Sequence, residues 1–458
     1  MHILLVDNSN VYGGIPKVTV ALANAMVDRG HRVTVLNQKP VSRFFYPLYK
    51  IGYWVYAKSL PRHIRPDMPR NVYSLRDMYP LSSKVDLQFY SFTDNNKSIQ
   101  KLRKRIQAIN PDACVCLFPD GRHLVWAVTL LGSGIPFVYS EHTSPNAIEY
   151  QFWTRAGRLA AMSGADIIHL LLPEYVQSIP DFLRSRVRVV QNPITEPANF
   201  ADPVGQQAPR KIILWLARLQ EEVKQCQLAM DAFALLAQNH PDWDMHVVGD
   251  GPDRAMIQRH AETLKLGTRL KLLGHSDHAG KHYSTAQAYC LSSRTEGLPM
   301  SLLEAMSHGL PCVAFADCDG VSDIISHGEN GLLARDMTVA ALAREMDELM
   351  GNAPLRERLG TAARRVSQDY APAQIYDKWE ALLAEAAARK GHTVMDTFRE
   401  EPFASQARLS SVARREWLWR EFGQPMPGTV EIWLYYALWK PLCLCWKRLT
   451  HKETSHEN

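Results

Sequence analysis

Short, continuous apolar segments alternate with segments of helical period along most of this chain. In the first half the apolar segments lie at residues 2–6, 32–36, 113–118, 136–140, 166–172 and 187–191. In the second half they lie at residues 211–216, 245–248, 270–273, 286–291 and 311–315. A strand that is apolar throughout is covered on both faces, as in the parallel sheets of α/β proteins. The alternation therefore predicts an α/β chain built from βαβ units.

A proline-rich segment divides these units into two groups. Residues 197–210 contain Pro197, Pro203, Gly205 and Pro209, a composition typical of an interdomain linker. The length of 458 residues also exceeds what one hydrophobic core usually serves. We therefore predict two Rossmann-like, doubly wound domains, residues 1–196 and 211–371, that face a ligand-binding cleft.

Composition excludes few functions. The net charge of +5 permits an anionic substrate or an anionic membrane surface and does not require nucleic acid. The eight cysteines include no Cys-x-x-Cys pair and mostly lie in apolar segments, which indicates reduced core residues of a cytosolic protein. The first residues read as a strand and not as a signal peptide, and no segment reaches the ~18 uncharged apolar residues of a spanning helix.

The junction at residues 296–304 suggests a ligand site. An apolar run leads into a Gly-Leu-Pro turn, and a helix pattern begins near residue 300. The unpaired N–H groups and the dipole of a helix start attract anions. Glu296 precedes this helix, and Glu304 lies about one turn inside it. A nucleotide-sugar would fit a phosphate site flanked by two hydroxyl-binding carboxylates; an ordinary loop with a solvated helix glutamate is the alternative.

Other polar residues follow predicted strands. Arg218 and Lys224 could hold a diphosphate, although two cations beside Glu221 and Glu222 could equally form a surface salt-bridge cluster. The anion-binding helix start favours the diphosphate. His142 follows the strand at 136–140, either as a sugar contact or as a structural histidine in a turn.

Gly13 and Gly14 follow the first strand, where they would let backbone approach a ligand or simply form a turn. They lack the Gly-x-Gly-x-x-Gly spacing of dinucleotide oxidoreductases.

Taken together, these residues resemble the retaining family 4 glycosyltransferases of the GT-B fold over roughly residues 1–390. Each motif alone is weak, whereas the Glu-x7-Glu element with Arg218 and Lys224 upstream is specific as a set. The matching segments are Tyr12-Gly13-Gly14-Ile15, Ser140-Glu141-His142, Gln191-Asn192-Pro193, Ala217-Arg218-Leu219 with Lys224, Val248-Gly249-Asp250-Gly251-Pro252, Glu296-Gly297-Leu298-Pro299, Glu304-Ala305-Met306, residues 309–314 and residues 328–333.

The resemblance implies a role for each matching residue. Glu296 and His142 would contact the donor sugar, and Glu304 would hold the ribose hydroxyls. Arg218 and Lys224 would neutralise the diphosphate leaving group. The remaining implied contacts are Gly249, Gly297, Leu298, Met300, Ser301 and Leu302 on the donor side, Gly274 and His275 at the base, and Gly13 and Gly14 on the acceptor side.

The resemblance also implies a retaining hexosyltransferase that uses a nucleotide-sugar, with uridine favoured over guanosine, and that needs neither a cofactor nor a metal. The acceptor hydroxyl would attack an oxocarbenium-like sugar on the face that the diphosphate leaves, with a phosphate oxygen accepting its proton. The Asp317-Cys318-Asp319 segment is interpreted as a turn in a separate loop, not as a metal-binding element beside the site.

Two aromatic and basic segments suggest contact with a membrane. They lie at residues 41–65 and 431–448, and either suits an anionic membrane interface or an extra helical layer on the protein. Residues 97–105 read as a helix with a solvated basic face. We expect residues 372–390 to form a crossover helix, residues 391–458 to form a helical, aromatic-rich extension, and the protein to lie peripherally on the cytoplasmic face of the inner membrane.

The expected acceptor is a saccharide or a lipid-linked saccharide of cell-surface polysaccharide or lipopolysaccharide synthesis. Two other functions stay open on sequence grounds: a sugar-nucleotide epimerase with the same architecture, and a non-catalytic sugar-nucleotide-binding protein. Transfer would release nucleoside diphosphate only when an acceptor is present.

Overall fold

The computed structural model describes residues 1–8, 13–38, 74–90, 96–117, 122–147, 155–206 and 208–393. Within these ranges the chain forms two sheets, one of seven and one of six strands, and every strand pairing is parallel. This confirms the predicted α/β class. The aromatic segments at 41–65 and 431–448 lie outside the described residues, as does nearly all of the extension from residue 391.

The first sheet has the strand order β3-β2-β1-β4-β5-β6-β7. The edge strand β3 was not predicted, because its burial is incomplete and its sequence is mixed. The central strand β1 is buried from Ile3 to Asp7, as its continuous apolar sequence predicts. The strands are β1 His2–Asp7, β2 Arg32–Gln38, β3 Asp86–Tyr90, β4 Ala113–Cys116, β5 Phe137–Glu141, β6 Ile167–Leu170 and β7 Val187–Val189.

The second sheet has the strand order β10-β9-β8-β11-β12-β13. The prediction that the sheet ends with the strand at residues 311–315 is wrong, because Leu332–Ala334 adds an edge strand too short to show a periodic pattern. The strands are β8 Lys211–Leu216, β9 Trp243–Val248, β10 Leu270–Gly274, β11 Ala288–Leu291, β12 Cys312–Phe315 and β13 Leu332–Ala334.

Helices cover both sheets. The helix Asn96–Ile109 forms where predicted and buries Ile99, Leu102 and Ile106, but its basic face is not wholly solvated. Arg103 donates to the carbonyls of Val128 and Thr129. The α-helices are Gly14–Asp28, Leu75–Met78, Asn96–Ile109, Arg122–Leu130, Arg155–Ser163, Asp181–Arg184, Glu221–Lys224, Cys226–Leu236, Arg254–Thr263, Ala279–Thr285, Met300–Ser307, Val339–Gly351, Ala353–Ala363, Val366–Asp369 and Pro372–Ala387.

The last helix, Pro372–Ala387, packs on the first sheet although it follows the second. Its Ile375, Trp379 and Leu383 join a buried cluster with residues of β1 and of the helix Gly14–Asp28. Arg29 also reaches Asp377 at 3.1 Å. The chain thus crosses back to its N-terminal half. In the described part of the chain no helix is long and apolar enough to cross a membrane.

The cysteines of the described residues are all buried and unbonded, which agrees with their interpretation as core residues. Burial raises the pKa of the Cys290 thiol to about 12. Because all strands in each sheet are parallel, the loops at their carboxyl ends share one edge. In the second sheet those loops carry Arg218, Gly249, His275 and Glu296.

Candidate active site

Glu296 lies in the loop between β11 and the helix Met300–Ser307, and its carboxylate meets Lys224. Lys224 Nζ is 2.5 Å from Glu296 Oε1, and both side chains are largely buried, with 20% and 11% of their surface exposed. Glu221 instead accepts hydrogen bonds from the backbone N–H of Gln227. Lys224 therefore pairs with the predicted sugar-binding carboxylate and not with a surface glutamate.

The backbone around Lys224 is tied to the end of β11. Ser292 Oγ accepts from the Trp215 indole N–H at 2.9 Å, and it is 2.8 Å from the Lys224 carbonyl and 2.9 Å from the Gln225 carbonyl. The N–H of Arg294 donates to the Val223 carbonyl. Gln225, with φ of 47°, holds the left-handed turn between two helices. These bonds place Lys224 beside the loop that carries Glu296.

The helix Met300–Ser307 begins where the sequence predicts. Its first two amides, those of Met300 and Ser301, have no acceptor within the helix and are suited to an anion. The Leu302 N–H, by contrast, is not unpaired as the sequence suggests, since it donates to the Pro299 carbonyl at 3.0 Å. The Ser301 hydroxyl accepts from Tyr289 at 2.9 Å.

Glu304 is held from both sides. Lys17, on the helix Gly14–Asp28 of the N-terminal half, donates to Oε1 at 2.7 Å. Tyr283 donates to Oε2 at 3.1 Å, and burial, followed by the Glu304 charge, raises the pKa of its phenol. Glu304 therefore lies at the boundary between the two halves, with 24% of its side chain exposed.

Glycines bring the neighbouring loops of the second sheet into contact. Gly249 has φ of 143°, and a Cβ there would lie 1.9 Å from the Ala217 carbonyl oxygen. A Cβ on Gly251 would lie 2.2 Å from the Leu219 carbonyl oxygen. The exposed Arg218 thus lies between Ala217 and Leu219, and the carbonyl oxygens of these two residues leave no room for a side chain at Gly249 or Gly251. Gly249 N–H also donates to the Gly274 carbonyl at 2.8 Å.

His142 meets the Glu296 loop from the N-terminal half. A Cβ on Gly297 would come within 2.2 Å of the His142 carbonyl oxygen, so only glycine allows this approach. The adjacent Glu141 is buried in a bidentate pair with Arg158, at 2.7 Å for each oxygen. Leu298 is buried beside this contact, with 6% of its surface exposed. Glu141 consequently anchors the end of β5 while His142 meets the other half.

Two further side chains join the halves at this loop, and neither was predicted to lie at the site. Tyr175 donates to the carbonyls of Glu296 and Gly297, at 2.9 and 2.7 Å. Asp319 accepts from Ser144 at 2.5 Å and from Thr295 at 3.0 Å. Asp319 lies in a turn of a separate loop, as predicted, but its contact with Thr295 brings that turn beside Glu296, which was not expected.

Gly13 and Gly14 lie at the start of the first helix and are exposed. Gly13 exchanges hydrogen bonds with the Tyr79 hydroxyl, at 3.1 and 3.0 Å. A Cβ on Gly14 would meet no atom of the described residues within 4 Å, so their packing does not require glycine there. The open space is consistent with the close approach of an external ligand.

The remaining predicted base contact, His275, lies on the exposed loop after β10, and its Nε2 is 3.0 Å from Asp277. Across the described ranges, no group of three or more His, Cys, Asp or Glu side chains is arranged to hold a metal ion. Lys17, Tyr175, Tyr283 and Asp319 were missed by sequence reasoning. Of these, Lys17 offered a signal, as a lone cation in the first turn of the helix after Gly13 and Gly14.

Two family models match consecutive parts of the chain. The model "Glycosyltransferase Family 4" matches residues 12–195, and the model "Glycosyl transferases group 1" matches residues 199–366. The matches include the loops that carry Gly13, His142, Arg218 and Glu296 and the helix that carries Glu304. They meet at the proline-rich segment between the two sheets.

Relatives match over most of their lengths. An uncharacterized glycosyltransferase of Haemophilus influenzae is 26% identical over 81% of this chain and 96% of its own. The GalNAc-alpha-(1->4)-GalNAc-alpha-(1->3)-diNAcBac-PP-undecaprenol alpha-1,4-N-acetyl-D-galactosaminyltransferase of Campylobacter jejuni is 22% identical over 81% and 95%. The structure of Anabaena Alr3699/HepE with UDP and glucose shares the fold, with a TM-score of 0.63, 17% identity and coverage of 84% and 99%.

Proposed function

Because this chain belongs to the family 4, group 1 glycosyltransferases of the GT-B fold, we propose that it moves a hexose from a UDP-sugar to a glycan or lipid-linked acceptor with retention at the anomeric carbon. The observation that carries the proposal is the pairing of Lys224 with Glu296 directly before the helix start at Met300. It joins a cation, a carboxylate and two helix-start amides in one place. A sugar diphosphate offers a matching set of groups: two phosphates beside a ring of hydroxyls.

In the proposed complex, charge stabilisation of the leaving diphosphate comes from three sources. These are Arg218, Lys224 and the amides of Met300 and Ser301. Glu296 would exchange part of its contact with Lys224 for hydroxyls of the donor sugar, beside His142. Because the cations and the helix start supply the positive charge, we propose that transfer needs no divalent metal and no cofactor.

Glu304 is proposed to bind the ribose hydroxyls. Tyr283 already fixes one carboxylate oxygen, so the second oxygen, now on Lys17, is the one that ribose would share. The Gly274 and His275 loop would lie against the base. A uridine base is supported by the Anabaena neighbour, whose structure contains UDP and glucose.

The proposed pathway is cell-surface polysaccharide or lipopolysaccharide synthesis. Its support is the Campylobacter relative, which is named for an undecaprenol-linked acceptor, and a lipopolysaccharide 1,6-galactosyltransferase of Salmonella typhimurium, 32% identical over 152 residues. An acceptor on lipid would require the protein to work at the cytoplasmic face of the inner membrane. We propose peripheral attachment through the aromatic and basic segments.

Thermal unfolding with added nucleotides tests donor binding. Ligand that binds only the folded protein raises the unfolding midpoint with concentration. We expect UDP and UDP-hexoses to raise the midpoint of the wild-type protein and GDP to raise it less. Glu304→Ala should lose most of the UDP shift, while Glu345→Ala, a change on the helix Val339–Gly351 that removes no predicted site residue, should keep it. Equal shifts for UDP and GDP would refute the choice of base, and no shift with any nucleotide would refute the donor site.

A further inference from the structure

Behind His142 runs a buried chain of hydrogen-bonding groups. Ser140 Oγ lies 2.9 Å from His142 Nε2 and 2.8 Å from His169 Nδ1. At the inner end, His169 Nε2 lies 2.7 Å from the Val190 carbonyl oxygen. Ser140 and His169 are both fully buried. This series of hydrogen bonds thus runs from the end of β5 through β6 to the residue after β7.

The group at the inner end decides which atom donates in each of these hydrogen bonds. A carbonyl oxygen only accepts, so His169 Nε2 must carry a hydrogen. Complete burial lowers the pKa of His169 to about 4, so the ring is neutral near pH 7 and its Nδ1 carries none. Ser140 must therefore donate its one hydroxyl hydrogen to His169 Nδ1. Its oxygen then accepts from His142 Nε2.

We propose that Ser140 and His169 are positioning residues that hold His142 in the tautomer with its hydrogen on Nε2. In this tautomer Nδ1 is the accepting nitrogen of the His142 ring, and turning the ring over would lose the bond to Ser140. The Trp379 ring, 4.4 Å from the His169 ring between centroids, packs against the inner histidine from the last helix. The crossover helix therefore supports the orientation of a residue in the cleft.

The consequence for catalysis rests on the proposed function. A neutral His142 of this tautomer accepts from a donor-sugar hydroxyl and cannot donate to it through Nδ1. The sugar hydroxyl that meets His142 would therefore donate its hydrogen to Nδ1, and its oxygen could accept a hydrogen bond from another group. Ser140 and His169 would influence transfer through this orientation without touching the sugar.

Nitrogen-15 NMR of histidine rings at pH 8 tests the tautomer directly in the full chain, and the protein contains its own references. His327 Nδ1 accepts from the Leu333 N–H at 2.9 Å, so a neutral His327 must carry its hydrogen on Nε2. His308 Nδ1 lies 2.8 Å from the Glu304 carbonyl oxygen, so it must carry the hydrogen. We expect His142 to match His327. A His142 spectrum that matches His308, or an average of the two, would overturn the proposal.

Two variants separate positioning from folding. Ser140→Ala removes the acceptor of the His142 hydrogen, so the fixed tautomer should become a mixture. His169→Phe keeps a ring against Trp379 but frees the Ser140 hydrogen, which should shift His142 toward the opposite tautomer. Each should lower kcat/KM for the donor about tenfold, the scale of one hydrogen bond. Unchanged His142 spectra in both folded variants would contradict the inference.

This experiment distinguishes the inference from the proposed function. The spectra report the tautomer without any substrate, so they decide the positioning claim even if no nucleotide-sugar is turned over. Conversely, failure of every nucleotide-sugar to react would refute the proposed function and leave the tautomer result standing.

Discussion

Backbone hydrogen bonds fix the position of Lys224, and its side chain extends from there to Glu296. Ser292 ties the carbonyls of Lys224 and Gln225 to the end of β11, so the 2.5 Å ion pair is formed between two short, constrained segments. A cation held this way needs little rearrangement when negative charge develops on a leaving diphosphate, and such preorganised charge is among the strongest sources of catalysis. Arg218 lies on a loop held by backbone hydrogen bonds on either side, from the Ala217 N–H to the Val248 carbonyl and from the Leu219 N–H to the Asp250 carbonyl.

Arg218→Ala and Lys224→Ala should each lose turnover by about 3 kcal/mol, on the scale of one lost oxyanion donor. The measurement is kcat under saturating donor, with the fold of each variant checked by thermal unfolding. Arg344→Ala, which removes an exposed cation from the helix Val339–Gly351, is the matched control and should keep its rate. Near-normal turnover in either site variant would contradict the diphosphate assignment.

Because His169 is buried and its pKa is lowered, we expect the stability of the protein to depend on pH. Its pKa is about 4 in the folded protein and about 6.5 when unfolded, so the unfolded chain binds the extra proton between these values. Stability contributed by neutral His169 is therefore complete above pH 6.5 and is lost as the pH falls toward 4, by about 3 kcal/mol. Unfolding midpoints of wild type and His169→Phe should converge over this window, whereas those of the exposed control His278→Phe should stay parallel to wild type. Parallel profiles for His169→Phe would show that His169 is not held neutral.

At the level of elements, the loop between β11 and the helix Met300–Ser307 joins the two halves. Tyr175 and the His142 carbonyl approach it from the N-terminal half, and Asp319 links it to Ser144. Gly297 approaches the His142 backbone so closely that an added Cβ would lie 2.2 Å from the His142 carbonyl oxygen. The geometry of the reacting groups therefore depends on how tightly this loop and the end of β5 approach each other.

Gly297→Ala should separate this loop from His142, because the added Cβ would lie 2.2 Å from the His142 carbonyl oxygen and 3.0 Å from the Thr143 α-carbon. A displacement of about 1 Å at a reacting site typically costs about 100-fold in rate. We expect kcat to fall by that order. The matched control is Gly280→Ala, in the helix Ala279–Thr285, where the nearest atom would be 3.5 Å away and where alanine favours the helix. Equal activity of the two variants would refute the role of this contact.

Elements were predictable where their burial is complete. Strands such as β1 and β12 are covered on both faces, and this makes their sequences continuously apolar. The edge strands β3 and β13 were missed because partial exposure or a three-residue length removes that signal. The positions of Glu296 and Glu304 relative to the start of the helix could be predicted, since they depend only on local sequence. The contact of Lys17 with Glu304 could not, because it depends on how two halves of the chain dock.

At the scale of the whole molecule, attachment to a membrane depends on which cations are accessible. On the helix Asn96–Ile109 some cations pack against the protein and others are exposed. Arg103 and Arg105 bind carbonyl oxygens of neighbouring elements, while Lys101 and Lys104 remain exposed. This divides the predicted basic face into a packing part and a part available to a charged surface. Two exposed lysines alone are a weak membrane anchor at about 1 kcal/mol each, so the proposed attachment depends on the aromatic segments as well.

Pelleting with liposomes tests that attachment. We expect the full chain to sediment with vesicles that contain anionic lipid and to remain in solution with neutral vesicles or at high salt, because the basic contribution is screened. A chain lacking residues 430–458 should sediment several-fold less. Lys101→Gln with Lys104→Gln should lower binding by a smaller factor. Equal sedimentation of the full and shortened chains would remove the C-terminal segment from the proposal.

We propose that the cleft between the two sheets transfers sugar from a nucleotide donor. The measurement that tests it most directly is nucleoside diphosphate release from UDP-hexoses, with and without a lipopolysaccharide core oligosaccharide as acceptor, in the presence of EDTA. We predict release only when acceptor is present, undiminished by EDTA, and loss of most of that release in Glu296→Gln. Conversion of the UDP-sugar to its epimer without release, or release that Glu296→Gln leaves unchanged, would contradict the account.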